Sequence, residues 1–355
     1  MKTSKKIEID ESKLPYHPER ISEWKEKGDC FPIYVEIGPT NFCNHHCVFC
    51  ALDFLNKKEI NYIDREVMLR NLENMAECGV KSIMFAGEGE SLAHRDTPLF
   101  VRKAKESGID VSITTNGILF GEKKQEECLP YLSWIRFSID AGNSETYSQI
   151  HRTNPRDFSR LIKNIENFVK LRNNQKLEIS IGAQFLILPS NIDEPIKLAK
   201  ILREIGVDNL QIKPYSHHPN SLNDFYTESE RYDKLEEELK QFNSEDFQIK
   251  FRRTTIERIS EGATYPICYG LPFFTLIDSK GNVLPCNLFY NNEEFTYGNL
   301  YKNSFSEIWK SDKRTEVLRK LEHRGVSECR RGCRLDASNR YLQRLKNPLP
   351  YDNFI

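Results

Sequence analysis

The chain has 355 residues, enough to bury one large hydrophobic core or two smaller ones. Its 51 basic and 52 acidic residues leave a net charge of −1, which argues against a protein held to nucleic acid by a basic surface. No apolar run approaches the roughly 20 residues of a membrane span, and the first 12 residues are charged and unlike a secretory signal, so we expect a cytoplasmic protein. In a reducing compartment, ten cysteines are typical of metal ligands or buried thiols rather than of disulfides.

Residues 1–30 are polar and are predicted to form an N-terminal extension. Apolar runs then predict six strands, at residues 33–38, 81–86, 110–114, 133–139, 178–186 and 208–213. Between these runs, apolar side chains recur at helical spacing, as in Leu161, Ile165 and Phe168. Strands that alternate with helices favour βαβ units around a parallel sheet. The predicted fold class is therefore α/β, with a partial (β/α)6 TIM-like barrel over residues 31–255.

A cysteine-rich loop directly follows the first predicted strand. Its thiols, Cys43, Cys47 and Cys50, have the spacing C-x3-C-x2-C. Three thiolates on one tight loop can hold three irons of a cubane cluster and leave the fourth iron without a protein ligand. Two alternatives stay open: a zinc site completed by His45 or His46, and thiols that bind no metal.

This octet resembles the signature of the radical S-adenosylmethionine (SAM) superfamily. The resemblance implies that the three cysteines hold a [4Fe-4S] cluster and that the open iron binds the amino and carboxylate groups of SAM. Phe49 takes the place of the aromatic residue that packs near the adenine in that family. The implied reaction is reductive cleavage of SAM to a 5′-deoxyadenosyl radical, which abstracts hydrogen from a substrate.

The second predicted strand ends in a segment that resembles the family's Gly-Gly-Glu motif, which binds the SAM amino group. Its residues are Gly87, Glu88, Gly89 and Glu90. The segment departs from the family pattern, because Glu88 replaces the first glycine and Ser91 the usual proline. Without the resemblance, the same residues are typical of a glycine-rich turn. In a parallel barrel the active site lies at this end of the strands, which favours the SAM interpretation.

The next two strand ends add further candidates for SAM binding. Asn116 lies in a Thr-Asn-Gly sequence, and Ser138 and Asp140 form a Ser-x-Asp pair; the resemblance implies contacts with the methionyl or ribose groups. The alternatives are an Asn-Gly turn and an aspartate that caps the following helix. Candidate substrate contacts follow the sixth strand; they are Lys213, Tyr215, Ser216, His217 and His218. That segment is also consistent with a surface loop, and Lys213 with a partner for the SAM carboxylate.

The last third of the chain carries a second set of cysteines: Cys268, Cys286, Cys329 and Cys333. Between the first two, residues 273–286 predict a β-hairpin with its turn at residues 279–282. Hairpin, short helix and C-x3-C resemble the auxiliary-cluster domain of radical SAM enzymes, in its SPASM or shorter twitch form. We predict this domain over residues 256–340, a C-terminal tail over 341–355, and one auxiliary [4Fe-4S] cluster on the four cysteines, with structural zinc as the alternative.

The resemblance thus implies a radical SAM enzyme, reduced by a flavodoxin- or ferredoxin-type protein and acting on a small polar substrate such as a sugar or sugar nucleotide. The outcome would be dehydrogenation, epimerisation, dehydration or decarboxylation, and the sequence assigns no catalytic residue. Since about 30 N-terminal residues leave little room for a leader-binding domain, a peptide-modifying maturase is the second candidate. An iron–sulfur electron carrier and a zinc-stapled binding module are the alternatives without catalysis.

Overall fold

A ten-stranded sheet organises residues 11–55, 58–225 and 230–354, which the computed structural model describes. Its strands are β1 (Tyr34–Ile37), β2 (Ser82–Phe85), β3 (Asp110–Thr115), β4 (Trp134–Ser138), β5 (Ser180–Ile187), β6 (Asn209–Pro214), β7 (Gln248–Phe251), β8 (Phe274–Ile277), β9 (Asn282–Leu284) and β10 (Gly298–Asn299). They lie in the order β10-β9-β8-β1-β2-β3-β4-β5-β6-β7. Strands β1 to β7 pair in parallel, which requires a crossover after each strand.

Helices between the parallel strands provide these crossovers, and further helices precede β1 or follow β10. They are α1 (Pro18–Lys27), α2 (Arg65–Glu77), α3 (Thr97–Glu106), α4 (Glu122–Cys128), α5 (Ser144–His151), α6 (Arg156–Asn174), α7 (Pro195–Ile205), α8 (Glu230–Lys240), α9 (Arg253–Glu261), α10 (Phe305–Trp309), α11 (Asp312–Arg324) and α12 (Asp336–Lys346). Local signals fix their ends: Asp64 caps α2 by accepting from two backbone N–H groups, and Gly206 ends α7 in the left-handed conformation. In the described parts of the chain, no helix combines the length and apolarity needed to cross a bilayer.

The structure confirms all six predicted barrel strands to within about two residues. It also adds a seventh parallel strand, β7, beside β6. The run of Gln248–Phe251 did not stand out in the sequence because it is four residues long, half-buried and half polar. Residues 1–10 of the predicted N-terminal extension and residue 355 of the predicted tail lie outside the described residues.

The C-terminal hairpin extends the sheet of the barrel. Strand β8 pairs in parallel with β1, and β9 pairs antiparallel with β8, with a turn closed by Asp278, whose Oδ1 accepts from the backbone N–H groups of Lys280 and Asn282. The predicted hairpin is therefore present. Because β1 lies between β2 and β8, the cysteine-rich loop that follows β1 stands between the barrel and the C-terminal region.

The two faces of the sheet differ in polarity. On β4, the buried side chains Ile135 and Phe137 face the helices, where the Phe137 ring packs against Phe168 of α6 at a centroid distance of 6.4 Å. The alternate residues of each strand therefore point the other way. We call that side the inner face; it carries polar side chains on several strands, including Glu36 of β1, Arg136 of β4 and Gln211 of β6. A polar inner face is suited to a bound ligand rather than to a packed apolar core.

Candidate functional site

The cysteine-rich loop lies at the carboxyl end of β1 and is fastened to the end of α5. The backbone N–H of His46 donates to the carbonyl of His151 at 3.0 Å, and that of Val48 donates to Ile150 at 2.8 Å. Cys43, Cys47 and Cys50 are half-buried. Burial raises the pKa of Cys47, and the charges of Cys43 and Cys50 raise it further, so both of these thiols lie within electrostatic range of Cys47. Such a set of thiolates suits a shared polynuclear cluster, whose positive irons offset the mutual repulsion.

A buried histidine that sequence reasoning missed orients Cys47. The Nδ1 atom of His151 lies 3.1 Å from Cys47 Sγ, and its Nε2 atom lies 2.8 Å from the carbonyl oxygen of Ile139. Together with His45, these two residues place three possible metal-binding atoms within 4.8 Å of one another. Burial lowers the pKa of His45 to about 4 and that of His151 to about 3, so both rings are neutral. Position 151 carried no sequence signal because it is 104 residues from Cys47.

The glycine-rich segment after β2 packs directly on the start of the cysteine-rich loop. A Cβ atom at Gly89 would collide with the carbonyl oxygens of Thr40 and Phe42. The neighbouring N–H of Glu90 donates to the Phe42 carbonyl at 2.8 Å, and Gly87 has φ of +146°, a conformation that favours glycine. The glycines are thus required by the close approach of two loops.

Glu90 joins the ends of β2 and β3. Its Oε1 atom accepts from the Thr115 hydroxyl at 2.6 Å and from the backbone N–H of Leu92 at 3.1 Å, and its Oε2 atom accepts from the backbone N–H of Asn116 at 2.8 Å. The side-chain amide of Asn116 in turn donates to Asn44 of the cysteine-rich loop at 2.8 Å. Burial raises the pKa of Glu90, and these three hydrogen bonds oppose that rise. Contact of Glu90 and Asn116 with SAM stays a prediction.

Glu88, the residue that departs from the family's glycine pattern, links this segment to the C-terminal hairpin. Its Oε1 atom accepts from the backbone N–H of Ser279 at 2.7 Å, and the side chain is buried. Burial raises the pKa of the adjacent Asp278 to about 6, and the Glu88 charge contributes to that rise. The structure therefore gives Glu88 a partner in the hairpin, and its contact with a cofactor stays a prediction.

Asp140, at the carboxyl end of β4, presents an unused hydrogen-bond acceptor. Its Oδ1 atom accepts from the backbone N–H of Leu186 at 2.6 Å, whereas its buried Oδ2 atom has no hydrogen-bond partner among the described residues. The residue has φ of 57°, in the left-handed region, and burial raises its pKa. Ser138 lies two residues earlier, on the inner face, and pairs with Gln184 of β5. An unsatisfied buried acceptor at a strand end is what a ribose hydroxyl of SAM would need.

The residues of this region fit a cluster and SAM. Cys43 and Cys50 lie within electrostatic range of Cys47, the backbone comes close at Gly89, and Asp140 Oδ2 has no hydrogen-bond partner in the described part of the chain. Phe49 of the cysteine-rich loop contacts His151 edge-on at a centroid distance of 5.3 Å, which holds its ring against the end of α5.

Of the five candidate substrate contacts, Lys213 lies on the inner face, next to Leu186 of β5 in the register. Two others fasten the loop after β6 to itself: the Tyr215 hydroxyl donates to the carbonyl of Asn223 at 2.6 Å, and Nδ1 of His217 lies 3.1 Å from the same oxygen. These contacts give both side chains a partner within their own loop.

The remaining two candidates contact other parts of the chain. The Ser216 hydroxyl donates to the carbonyl of Arg331 at 2.8 Å, which ties the loop to the C-terminal region. His218 is fully buried and stacks on Phe54, with centroids 5.2 Å apart. The proposed substrate role of all five residues stays a prediction.

The four C-terminal cysteines come together although 65 residues separate the first from the last. Burial raises the pKa of Cys268, Cys286 and Cys333, and each of these thiols also senses Cys329. The side-chain amide of Asn339 donates to Cys268 Sγ at 3.4 Å, a hydrogen bond that would stabilise a thiolate. Four clustered thiols can close the coordination of one metal centre.

The arginines that flank the C-x3-C pair have separate partners. The Arg330 Nε atom donates to the Ser216 hydroxyl at 3.0 Å, and the guanidinium lies within electrostatic range of Cys333. Arg334 forms an ion pair with Glu36 on the inner face of β1 and donates to the Tyr34 hydroxyl at 2.7 Å. Arg334 therefore connects the second metal site to the barrel.

Family comparisons agree with this geometry. The model of the radical SAM superfamily matches residues 37–195, and that of the SPASM iron–sulfur cluster-binding domain matches residues 268–334. The chain belongs to the radical SAM superfamily and carries a SPASM domain at its C-terminal end. These domains imply SAM, a [4Fe-4S] cluster and auxiliary iron–sulfur chemistry as its cofactors.

Among curated relatives, a probable GTP 3′,8-cyclase from Saccharolobus islandicus is 28% identical over 175 residues, which cover 49% of this chain and 54% of the relative. An S-adenosylmethionine-dependent nucleotide dehydratase from Lacinutrix mariniflava is 32% identical over 114 residues, covering 31% of this chain and 24% of the relative. The matches thus span about half the length of the first of these relatives and less of the second.

Solved structures share the fold. Streptococcus suis SuiB bound to S-adenosylmethionine superposes with a TM-score of 0.66 at 19% identity, over 88% of this chain and 74% of SuiB. The protein anSMEcpe with bound AdoMet gives a TM-score of 0.56 at 21% identity, over 89% of this chain and 95% of the other. At these identities the likeness establishes a common radical SAM fold and leaves the substrate open.

Proposed function

We propose that this protein is an enzyme that cleaves SAM reductively at a [4Fe-4S] cluster held by Cys43, Cys47 and Cys50, and that the radical so produced removes hydrogen from a small polar substrate. One observation carries the proposal. The three thiols stand at the carboxyl end of β1, next to strand ends that present Glu90 and Asp140, whose Oδ2 atom accepts no hydrogen bond from the residues that the structure describes. That edge is where parallel barrels bind their substrates.

When bound, the cluster and SAM supply the hydrogen-abstracting group that protein side chains lack. The chain itself binds and orients. Gly89 allows the backbone to approach the cysteine-rich loop, Oδ2 of Asp140 would accept a hydrogen bond from a ribose hydroxyl of SAM, and Phe49 would pack near the adenine. The inner face then holds the substrate carbon close to the SAM ribose and away from water, which sets the geometry of hydrogen transfer.

The auxiliary site would hold one [4Fe-4S] cluster on Cys268, Cys286, Cys329 and Cys333. With all four thiols as ligands, the cluster would have no open iron for substrate. Its role would be to carry electrons or to brace the hairpin against β1. The external electron donor would be a flavodoxin- or ferredoxin-type protein.

For the substrate we favour a nucleotide or sugar nucleotide. Two of the curated relatives are named for reactions of GTP and of a nucleotide, and the inner face is polar. A precursor peptide is bound to SuiB in one of the solved structures, but that likeness, at 18% identity, concerns the fold. Peptide modification is therefore the second candidate.

The first prediction tests SAM cleavage. Protein with reconstituted clusters, given dithionite and SAM, is expected to release 5′-deoxyadenosine and methionine, measured by chromatography. Cys47→Ala should abolish this release because one iron loses its thiolate. Cys78→Ala is the matched control, since Cys78 ends α2 away from both cysteine sets, and it should keep full activity.

Failure of the loaded wild-type protein to release 5′-deoxyadenosine would favour an electron carrier over an enzyme. Candidate nucleotides deuterated on the sugar then identify the substrate. Deuterium in the recovered 5′-deoxyadenosine marks the compound from which hydrogen is taken.

A further inference from the structure

A buried asparagine of α12, Asn339, faces the auxiliary thiol Cys268. Its side-chain nitrogen Nδ2 lies 3.4 Å from Cys268 Sγ, and the residue is 1% exposed. Asn339 lies beyond residues 268–334, the segment that the SPASM model matches, and 71 residues from Cys268. The contact therefore depends on the fold of this chain rather than on the cysteine-bearing segment alone.

The direction of this hydrogen bond is fixed by a second contact of the same amide. The Oδ1 atom of Asn339 accepts from the backbone N–H of Gly270 at 2.7 Å. With the amide turned over, its NH2 group would meet that N–H donor and its oxygen would face a thiolate, so both hydrogen bonds would be lost. The Nδ2 group therefore donates toward the sulfur of Cys268.

Contacts on both sides of Cys268 hold α12 in this position. Before the cysteine, the Tyr265 hydroxyl donates to Oδ1 of Asp336, in the first turn of α12, at 3.0 Å. After the cysteine, the N–H of Gly270 donates to Asn339. Neither of these hydrogen bonds uses the sulfur, so the position of the donor does not depend on the sulfur itself. Such outer contacts are what orient and tune the ligands of a metal site.

A donor at this position affects a redox centre and a structural metal differently. Four thiolates leave a [4Fe-4S] cluster negatively charged, and its one-electron reduction adds to that charge without breaking a bond. An N–H group that donates to a ligating sulfur stabilises the reduced state more than the oxidised state, which raises the reduction potential. Zinc undergoes no redox change, so the same hydrogen bond would have no potential to shift there.

We propose that Asn339 is a positioning residue of the auxiliary centre, whose hydrogen bond to Cys268 raises the reduction potential of the cluster that the four thiols hold. The proposal rests on the proposed function in one respect, namely that these thiols bind a [4Fe-4S] cluster. The Arg330 guanidinium, within electrostatic range of Cys333, acts in the same direction through its charge. Asn339 differs from it in donating directly to the sulfur of a ligand.

The experiment is a redox titration, monitored by electron paramagnetic resonance, of the full chain carrying Cys43→Ala, Cys47→Ala and Cys50→Ala, so that the auxiliary cluster alone is observed. In this background Asn339→Leu, which has a similar volume and no donor, is expected to shift the midpoint potential to a more negative value. Asn347→Leu is the matched control. Asn347 is exposed just after α12, its amide donates to the carbonyl of Gln343 at 2.9 Å, and the potential should not change.

A second measurement keeps Asn339 intact. With asparagine labelled by ¹⁵N in its side-chain amide, pulsed electron paramagnetic resonance of the reduced auxiliary cluster should detect coupling to the labelled nitrogen. This coupling reports the contact with the sulfur directly, and a merely structural role of Asn339 would not produce it.

An unchanged or more positive potential in Asn339→Leu, or no coupling to the labelled nitrogen, would overturn the proposal. Zinc in place of iron would overturn it as well, because the site would then have no potential to set. Iron content and circular dichroism verify that each variant is folded and loaded, and the labelling result decides the matter if Asn339→Leu loses its cluster. Because neither SAM nor substrate is present, all of these outcomes leave the proposed cleavage of SAM untouched.

Discussion

At the scale of single residues, the geometry of the site depends on the contact between two loops, the cysteine-rich loop and the glycine-rich segment after β2. Glu90 accepts three hydrogen bonds from the ends of two strands. The side chain of Asn116 then donates a hydrogen bond to Asn44, the residue after Cys43. These bonds tie the start of the cysteine-rich loop to the ends of β2 and β3. Such a preorganised site loses function through small displacements of its backbone.

Gly89→Ala tests this dependence on close approach. The added methyl group would meet two backbone carbonyls, those of Thr40 and Phe42, which cannot swing aside as a flexible side chain can. We expect the loop to shift at a cost of about 1–3 kcal/mol, with reduced iron content and slower release of 5′-deoxyadenosine. Iron analysis and the cleavage assay measure both effects.

Gly121→Ala is the control for that substitution. Its Cβ would enter open space, and its φ of −71° suits alanine. Normal iron content in both variants would mean that the cysteine-rich loop tolerates movement and that the contact at Gly89 is unimportant.

At the scale of elements, the strands were predictable and several of their connections were not. Long apolar runs such as Ser180–Ile187 predict buried strands, whereas β7 is too short and too polar to be predicted in this way. The pairing of β8 with β1 joins segments about 240 residues apart, and no local pattern encodes it.

The candidate site shows the same limit. Ser216 and His218 belong to a polar loop at a strand end, which predicts ligand contact, yet their partners include Arg331 and Phe54, far away in the chain. The cysteines were predictable because their spacing is local and their chemistry is specific. His151 was not, since its contact with Cys47 exists only in the folded protein.

The bond between Glu88 and the hairpin gives a prediction about elements. Glu88→Ala leaves the buried N–H of Ser279 without its acceptor, at a cost of about 1–3 kcal/mol, whereas Glu88→Gln keeps an acceptor oxygen there. Amide hydrogen exchange of the hairpin, measured by mass spectrometry, should therefore be roughly tenfold faster or more in Glu88→Ala and close to wild type in Glu88→Gln. Equal exchange in all three proteins would show that Glu88 does not hold the hairpin.

At the scale of the whole molecule, both metal sites depend on β1. The cysteine-rich loop follows this strand, and the auxiliary cysteines flank the hairpin whose first strand pairs with it. The ion pair between Glu36 and Arg334 crosses from β1 to the residue next to Cys333. The barrel and the SPASM domain therefore share one sheet. Because each site has its own cysteines, we predict that each metal site can form when the cysteines of the other are removed.

Removing one set of ligands at a time tests that arrangement. The triple variant Cys43→Ala, Cys47→Ala, Cys50→Ala should retain about four irons per chain, the content of one cubane, because its four auxiliary thiols are untouched.

Replacing Cys268, Cys286, Cys329 and Cys333 should likewise leave one cluster, which in this variant is the one that cleaves SAM. The hairpin should become less stable, because the four thiols no longer share a metal. Elemental analysis for iron and zinc, with sulfide determination, distinguishes the outcomes. Zinc in place of iron in the triple variant would make the auxiliary site a structural metal centre, and no metal at all would show that the four clustered thiols bind none.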